Sequence, residues 1–145
     1  MNKKIIIILI SLLILTTGIV TAKNINDFKI PYEYREKINE GVYQVPNTQD
    51  NPQFIILKTD NTDEYTKNTT GYRVYSTTET PNTYYYVDEE LGEQGCLEQI
   101  EVDGEKYMIF STYHKSMEDK AYLGASLLAI QDFNNQNHVT PNPII

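Results

Sequence analysis

The sequence predicts an α+β domain: a mostly antiparallel sheet packed against a C-terminal helix, preceded by an N-terminal signal or transmembrane helix. Three observations predict it. Between residues 28 and 112, short runs of alternating apolar and polar residues are divided by Pro, Gly, Asn and Asp, as in half-buried strands and their turns. Near the end, Tyr122, Leu123, Ser126, Leu127, Ile130 and Phe133 recur at helical spacing. At the start, MNKKIIIILISLLILTTGIVTAKN joins two lysines to a long uncharged run.

The leader comes first. Lys3 and Lys4 precede Ile5 to Leu15, and Val20-Thr21-Ala22 is a small-x-small site, so a secretory signal cut after Ala22 is one reading. The uncharged run extends from Ile5 to Ala22, about 27 Å as a helix at ~1.5 Å per residue. That is close to the ~30 Å hydrocarbon thickness, so a retained anchor is the other reading. Both place residues 23–145 outside the cytoplasm, at the cell membrane or secreted, with the lysines on the inner side. No cysteine near the cut site offers a lipid anchor. The organisation expected is leader 1–22, linker 23–27, one domain 28–135 and an extended tail 136–145.

Within the domain, Phe28-Lys29-Ile30-Pro31 alternates and stops at proline, predicting a short edge strand. Residues 32–39 read as a helical turn or a loop. Residues 41–45 alternate as a strand, 46–52 turn the chain, and 53–59, QFIILKT, is apolar enough for a central strand. DNTDEYTKNTTG, residues 60–71, is the most polar stretch and reads as a mobile loop. Strands follow at 72–77 and 84–87, with an acidic loop or helical turn at 88–95. Asp103-Gly104 between two alternating runs signals a hairpin, because both central positions need φ > 0. Residues 105–112, EKYMIFST, are apolar on both sides, as for a strand inside a sheet. Ser116 to Asp119 offer an N-cap, and the helix is expected to end near Asn134-Asn135.

Composition narrows the function. The formal net charge is −8, and −10 once Lys3 and Lys4 leave with the leader. An acidic body repels nucleic acid and anionic headgroups. The lone cysteine, Cys96, excludes an intramolecular disulfide, so packing and hydrogen bonds must hold the exported domain. No nucleotide-phosphate loop is present, and Cys96 with two scattered histidines, His114 and His138, is too few for a structural zinc site. No cofactor or metal is expected.

Candidate residues are few. Cys96 and His114 flank the hairpin and are the available nucleophile and base, with no third group in view. Of two acidic clusters, Asp60-Asp63-Glu64 and Asp88-Glu89-Glu90-Glu93, the first lacks the residue order of a calcium loop, and both read as solvated loops, with weak calcium binding at either as the alternative. Tyr84-Tyr85-Tyr86 puts Tyr84 and Tyr86 on one face of a strand, either packed or offered to an envelope protein or glycan. Asn68-Thr69-Thr70 is a glycosylation acceptor sequence. The expected role is a non-catalytic binding or cell-envelope one. An exported hydrolase using Cys96 and His114, or an adaptor subunit of a membrane complex, is the alternative. The layout of leader, F-x-I-P, tyrosine-rich sheet and late helix running into Phe133 to Pro141 resembles small exported proteins of methanogenic archaea. At fold level it is also similar to sheet-plus-helix domains of the PsbP and Mog1 type. The first resemblance implies a cell-envelope setting and brings no catalytic residues; the second implies fold alone.

Overall fold

The computed structural model describes residues 24–47, 52–76, 79–117 and 120–144. The leader, with Ala22 and the whole of 5–22, lies outside them. Among the described residues no helix is long and apolar enough to cross a membrane.

Seven strands form one antiparallel sheet: β1 Glu36–Asn39, β2 Val42–Gln44, β3 Gln53–Lys58, β4 Tyr72–Ser76, β5 Tyr84–Asp88, β6 Glu93–Val102 and β7 Glu105–His114. Their spatial order is β1-β2-β3-β7-β6-β5-β4. The two ten-residue strands β6 and β7 form the centre, paired from Glu93↔His114 to Val102↔Glu105. Asp103 at φ 52° and Gly104 at φ 81° make their turn, the geometry that Asp-Gly accepts at least cost. A short helix α1, Asp63–Thr66, lies between β3 and β4, and the long helix α2 spans Lys120–Asn137. The α+β class is therefore present as read.

Strand parity gives each face its own cluster. On one face, Phe54, Ile56, Cys96, Ile100, Tyr107 and Ile109 pack against Leu127, Ile130 and Phe133 of α2. Phe133 has ring centroids at 5.2 Å from Phe54 and 5.4 Å from Phe28. On the other face, Val74, Tyr84, Tyr86, Leu97, Met108 and Phe110 form a second cluster. The chain leaves β3 beside the centre and re-enters at β4 on the far edge, and α1, on that crossing, lays Tyr65 on this second face.

Several local expectations are corrected. Phe28 to Pro31 is not a strand. The Lys29 N–H donates to Asn137 Oδ1 at 2.8 Å, and Asn137 Nδ2 donates to the Lys29 carbonyl at 2.8 Å, so a side-chain carboxamide stands where a strand partner would. The expected linker at 23–27 contains a capped turn: Asn24 Oδ1 accepts from Asn26 N, Asp27 Oδ2 accepts from Asn24 N, and Ile25 packs against the core. Tyr32–Tyr34 is a single 3-10 turn, and β1 follows where a turn or loop was expected. The polar stretch 60–71 contains α1. Helix α2 runs past Asn134-Asn135 to Asn137, where His138 takes φ 54° and Val139 N donates to the Asn134 carbonyl at 3.1 Å, a Schellman closure. The tail is tied down: Asn142 pairs with Gln99, Val139 packs on the helix-side cluster and Ile144 on the other.

Candidate functional site

The face opposite α2 carries a cleft of about 190 Å³. Ile55 and Leu57 of β3 line its floor with Phe110 of β7, Tyr86 of β5 and Tyr72 of β4. Tyr65 of α1 forms a wall, and exposed Leu91 stands at the rim. Four rings close a circuit around it. Tyr65 meets Phe110 edge-on at 5.7 Å, Phe110 meets Tyr86 edge-on at 5.7 Å, and Tyr86 meets Tyr72 at 5.9 Å. The Tyr72 hydroxyl then donates to the Tyr65 carbonyl at 2.7 Å.

Two carboxylates complete the lining. Asp88 ends β5 and Glu93 begins β6, and they are direct cross-strand partners closed by the loop 89–92. Asp88 Oδ1 accepts from Leu91 N at 3.0 Å, which fixes that loop. Burial, then the neighbouring Asp88 charge, raises the Glu93 pKa, with His114 pulling the other way. Among the described residues no lysine or arginine is paired with either; Lys115 is paired with Glu89. Burial and then the Asp88 charge push the Tyr72 hydroxyl far up, and burial does the same to Tyr86, so both stay neutral. Gly95, opposite Tyr86, has no room for a side chain, since a Cβ would lie 1.9 Å from the Ser111 carbonyl oxygen.

The residues singled out from sequence are distributed as follows. Tyr84 and Tyr86 share the cleft-side face and both are buried; Tyr86 lines the cleft and Tyr84 packs in the cluster beside it. Tyr85 faces the helix side. Cys96 is buried on the helix face, and burial pushes its thiol up to about 12. His114 is exposed at the end of β7, three positions from Cys96's partner Ser111, and so on the opposite face. The sheet lies between the two, and they do not form a nucleophile–base pair. Asn68 is exposed, with its Oδ1 accepting from Val74 N at 2.7 Å. Asp60, Asp63 and Glu64 stay apart in solvent, with Asp63 paired to Lys67. No group of three or more potential metal ligands converges among the described residues.

Tyr65, Tyr72 and Phe110 were not singled out. The available signal for Tyr65 is its isolation, as the one aromatic in DNTDEYTKNTTG. A polar loop that retains a single large ring is expected to bury it.

The helix side has its own buried polar centre. Glu98 of β6 is fully buried, and its Oε1 accepts from Asn134 Nδ2 at 2.9 Å and from Thr83 Oγ1 at 3.4 Å. Glu98 Oε2 and Asn134 Oδ1 are buried without a hydrogen-bond partner. Burial lifts the Glu98 carboxyl to about 8. A proton there supplies a donor where two acceptors lack one. A groove of about 470 Å³ beside α2, lined by Tyr34, Tyr122, Leu128, Glu33 and Asp132, is larger than the cleft, but its carboxylates lie in solvent.

No family model, curated protein or solved structure matches this chain. Its function has to be read from the geometry.

Proposed function

We propose that this chain is a non-catalytic binding domain that works outside the cytoplasm, released after Ala22 or held at the membrane through residues 5–22. One observation carries the binding role: four aromatic rings and two carboxylates converge on a single cleft on the sheet face away from α2. Such concave, mostly apolar sites with a few convergent polar groups are where small ligands bind. A binding role without turnover is supported by the separation of Cys96 from His114 and by a thiol held protonated. The extracytoplasmic setting is supported by the basic, apolar, small-x-small order of the leader.

The binding role is tested by ligand-observed NMR on the full chain with mixtures of small metabolites. The expected result is saturable binding that perturbs tyrosine resonances and leaves every compound intact. Conversion of any compound overturns the non-catalytic reading, and the absence of any binder overturns the cleft. The address is tested by mass spectrometry of the N-terminus from native cells. A chain starting at Lys23, or an intact chain in the membrane fraction, is expected; an intact cytosolic chain overturns it.

A further inference from the structure

We propose that the occupant of the cleft is a small organic cation with a methylated ammonium head. This rests on the cleft being a binding site, as argued above, and adds the chemistry of what it binds.

The rings come first. Edge-on contacts of Tyr65 with Phe110 (73° between planes) and Phe110 with Tyr86 (71°) turn successive rings roughly through right angles. Walls that turn in this way box a small volume with aromatic surface. A cation within about 6 Å of a ring centroid is attracted by the negative face, more strongly where water is excluded. The neighbouring centroids are 5.7 to 5.9 Å apart and all four rings line the one cleft, so a guest in it lies beside more than one ring.

Charge decides the sign. Asp88 and Glu93 stand side by side, with neither paired to a lysine or arginine among the described residues, and Glu93 is half-buried. Two adjacent carboxylates repel each other and any anion, and a cation between them relieves that repulsion. The whole chain adds a formal charge of −8, which draws cations and repels anions at longer range.

Methylation follows from the carbon lining. The Tyr72 hydroxyl donates its proton to the Tyr65 carbonyl. Ile55, Leu57, Leu91 and Phe110 contribute carbon only. Beyond the carboxylates of Asp88 and Glu93 at its edge, the lining is mostly carbon, so a head group that turns several substituents toward the walls meets apolar surface. A bare ammonium can pair some of its N–H groups with these carboxylates but turns the rest toward carbon, whereas N-methyl groups facing carbon lose little.

The test is an isothermal titration of the full chain with choline, with its neutral isostere 3,3-dimethylbutanol, and with sodium chloride at matched ionic strength. Choline is expected to bind saturably, at least about tenfold more tightly than the alcohol, a difference of roughly 1.4 kcal/mol. Asp88→Asn with Glu93→Gln should lower choline affinity about tenfold or more and leave the alcohol unchanged. Tyr65→Leu, which keeps bulk on α1 but removes the ring, should weaken choline without unfolding the chain, as checked by circular dichroism. Equal binding of choline and the alcohol overturns the cationic occupant and leaves the binding role standing. Choline that binds no better than sodium, with the alcohol silent, overturns both. Tighter binding of ethanolamine than of choline overturns methylation alone.

Discussion

The two faces of the sheet start from the same raw material and end differently. Both have an apolar row along β3, β6 and β7, because those strands are hydrophobic on both sides. One row is covered by the eighteen residues of α2. The other is covered by the four residues of α1 and the residues beside it. The long cover excludes water so well that Glu98 beneath it is held up at about 8. The short cover leaves a cleft, and its carboxylates, Asp88 and Glu93, sit at the edge where solvent or a ligand reaches them. The longer cover buries its acid completely, whereas the shorter one leaves Asp88 and Glu93 partly exposed.

The contrast can be broken most severely on the helix side. Phe133→Ala removes a fully buried ring that touches Phe28 and Phe54, and is expected to cost about 3–5 kcal/mol, read by urea denaturation. That is a large share of a small domain's stability. Next comes Glu98. Its folded pKa lies above the ordinary 4.5, so the folded state binds more protons than the unfolded state between about 4.5 and 8. Its stabilising contribution is complete below that window and is lost as pH rises through it. Glu98→Gln should flatten the dependence and, at pH 9, gain on the order of 1–3 kcal/mol over the parent, the scale of a buried group left unpaired. Glu93 has the same sign, so the difference between parent and variant across pH is the measurement that isolates Glu98. A variant that tracks the parent at every pH would remove the contrast between the faces.

The smallest effect is expected on the cleft side. Tyr65 is half-buried on a four-residue helix, so Tyr65→Leu should change stability by about 1 kcal/mol or less while weakening choline, as the titration reads. A loss as large as that of Phe133→Ala would mean the second face is a core like the first, with no separate site. Thiol labelling gives a further check on the helix side: Cys96 should stay unmodified in the native protein and react only in denaturant, because it is buried and its thiol is pushed up to about 12.

Much of the fold was legible because its signals are local. Asp103-Gly104 marks the central turn with two positive φ values, and the apolar spacing from Tyr122 to Phe133 marks α2. Phe28 to Pro31 misled because alternation reports which side chains are buried, not which backbone pairs. Here the pairing partner is the carboxamide of Asn137, 108 residues away. Most of the site was not legible for a similar reason. Asp88 and Glu93 read as members of one acidic loop, and only the extension of β5 and β6 into that stretch makes them cross-strand neighbours. Tyr65, Tyr72, Tyr86 and Phe110 come from four elements, and no spacing in the chain announces that they meet. Tyr86 was found because three consecutive tyrosines are conspicuous; its role depends on rings that are not.

The β6–β7 hairpin also bears on how the domain reaches its native state. Its arms are the longest strands, they occupy the middle of the sheet, and two residues join them. Loop-closure entropy for that pair is small, whereas seating β3 against β7 closes a segment of some fifty residues. Low-separation contacts form ahead of distant ones, so the hairpin is the natural nucleus, with α2, next in the chain, condensing on it and β3 and β5 adding to its two sides. Alterations at the Asp103-Gly104 turn then act on the rate of folding, and alterations under α1 on the rate of unfolding. The cleft takes its floor from β3 and the central β7 but its wall and far side from α1 and the edge strand β4, so it is complete only when those peripheral pieces have joined.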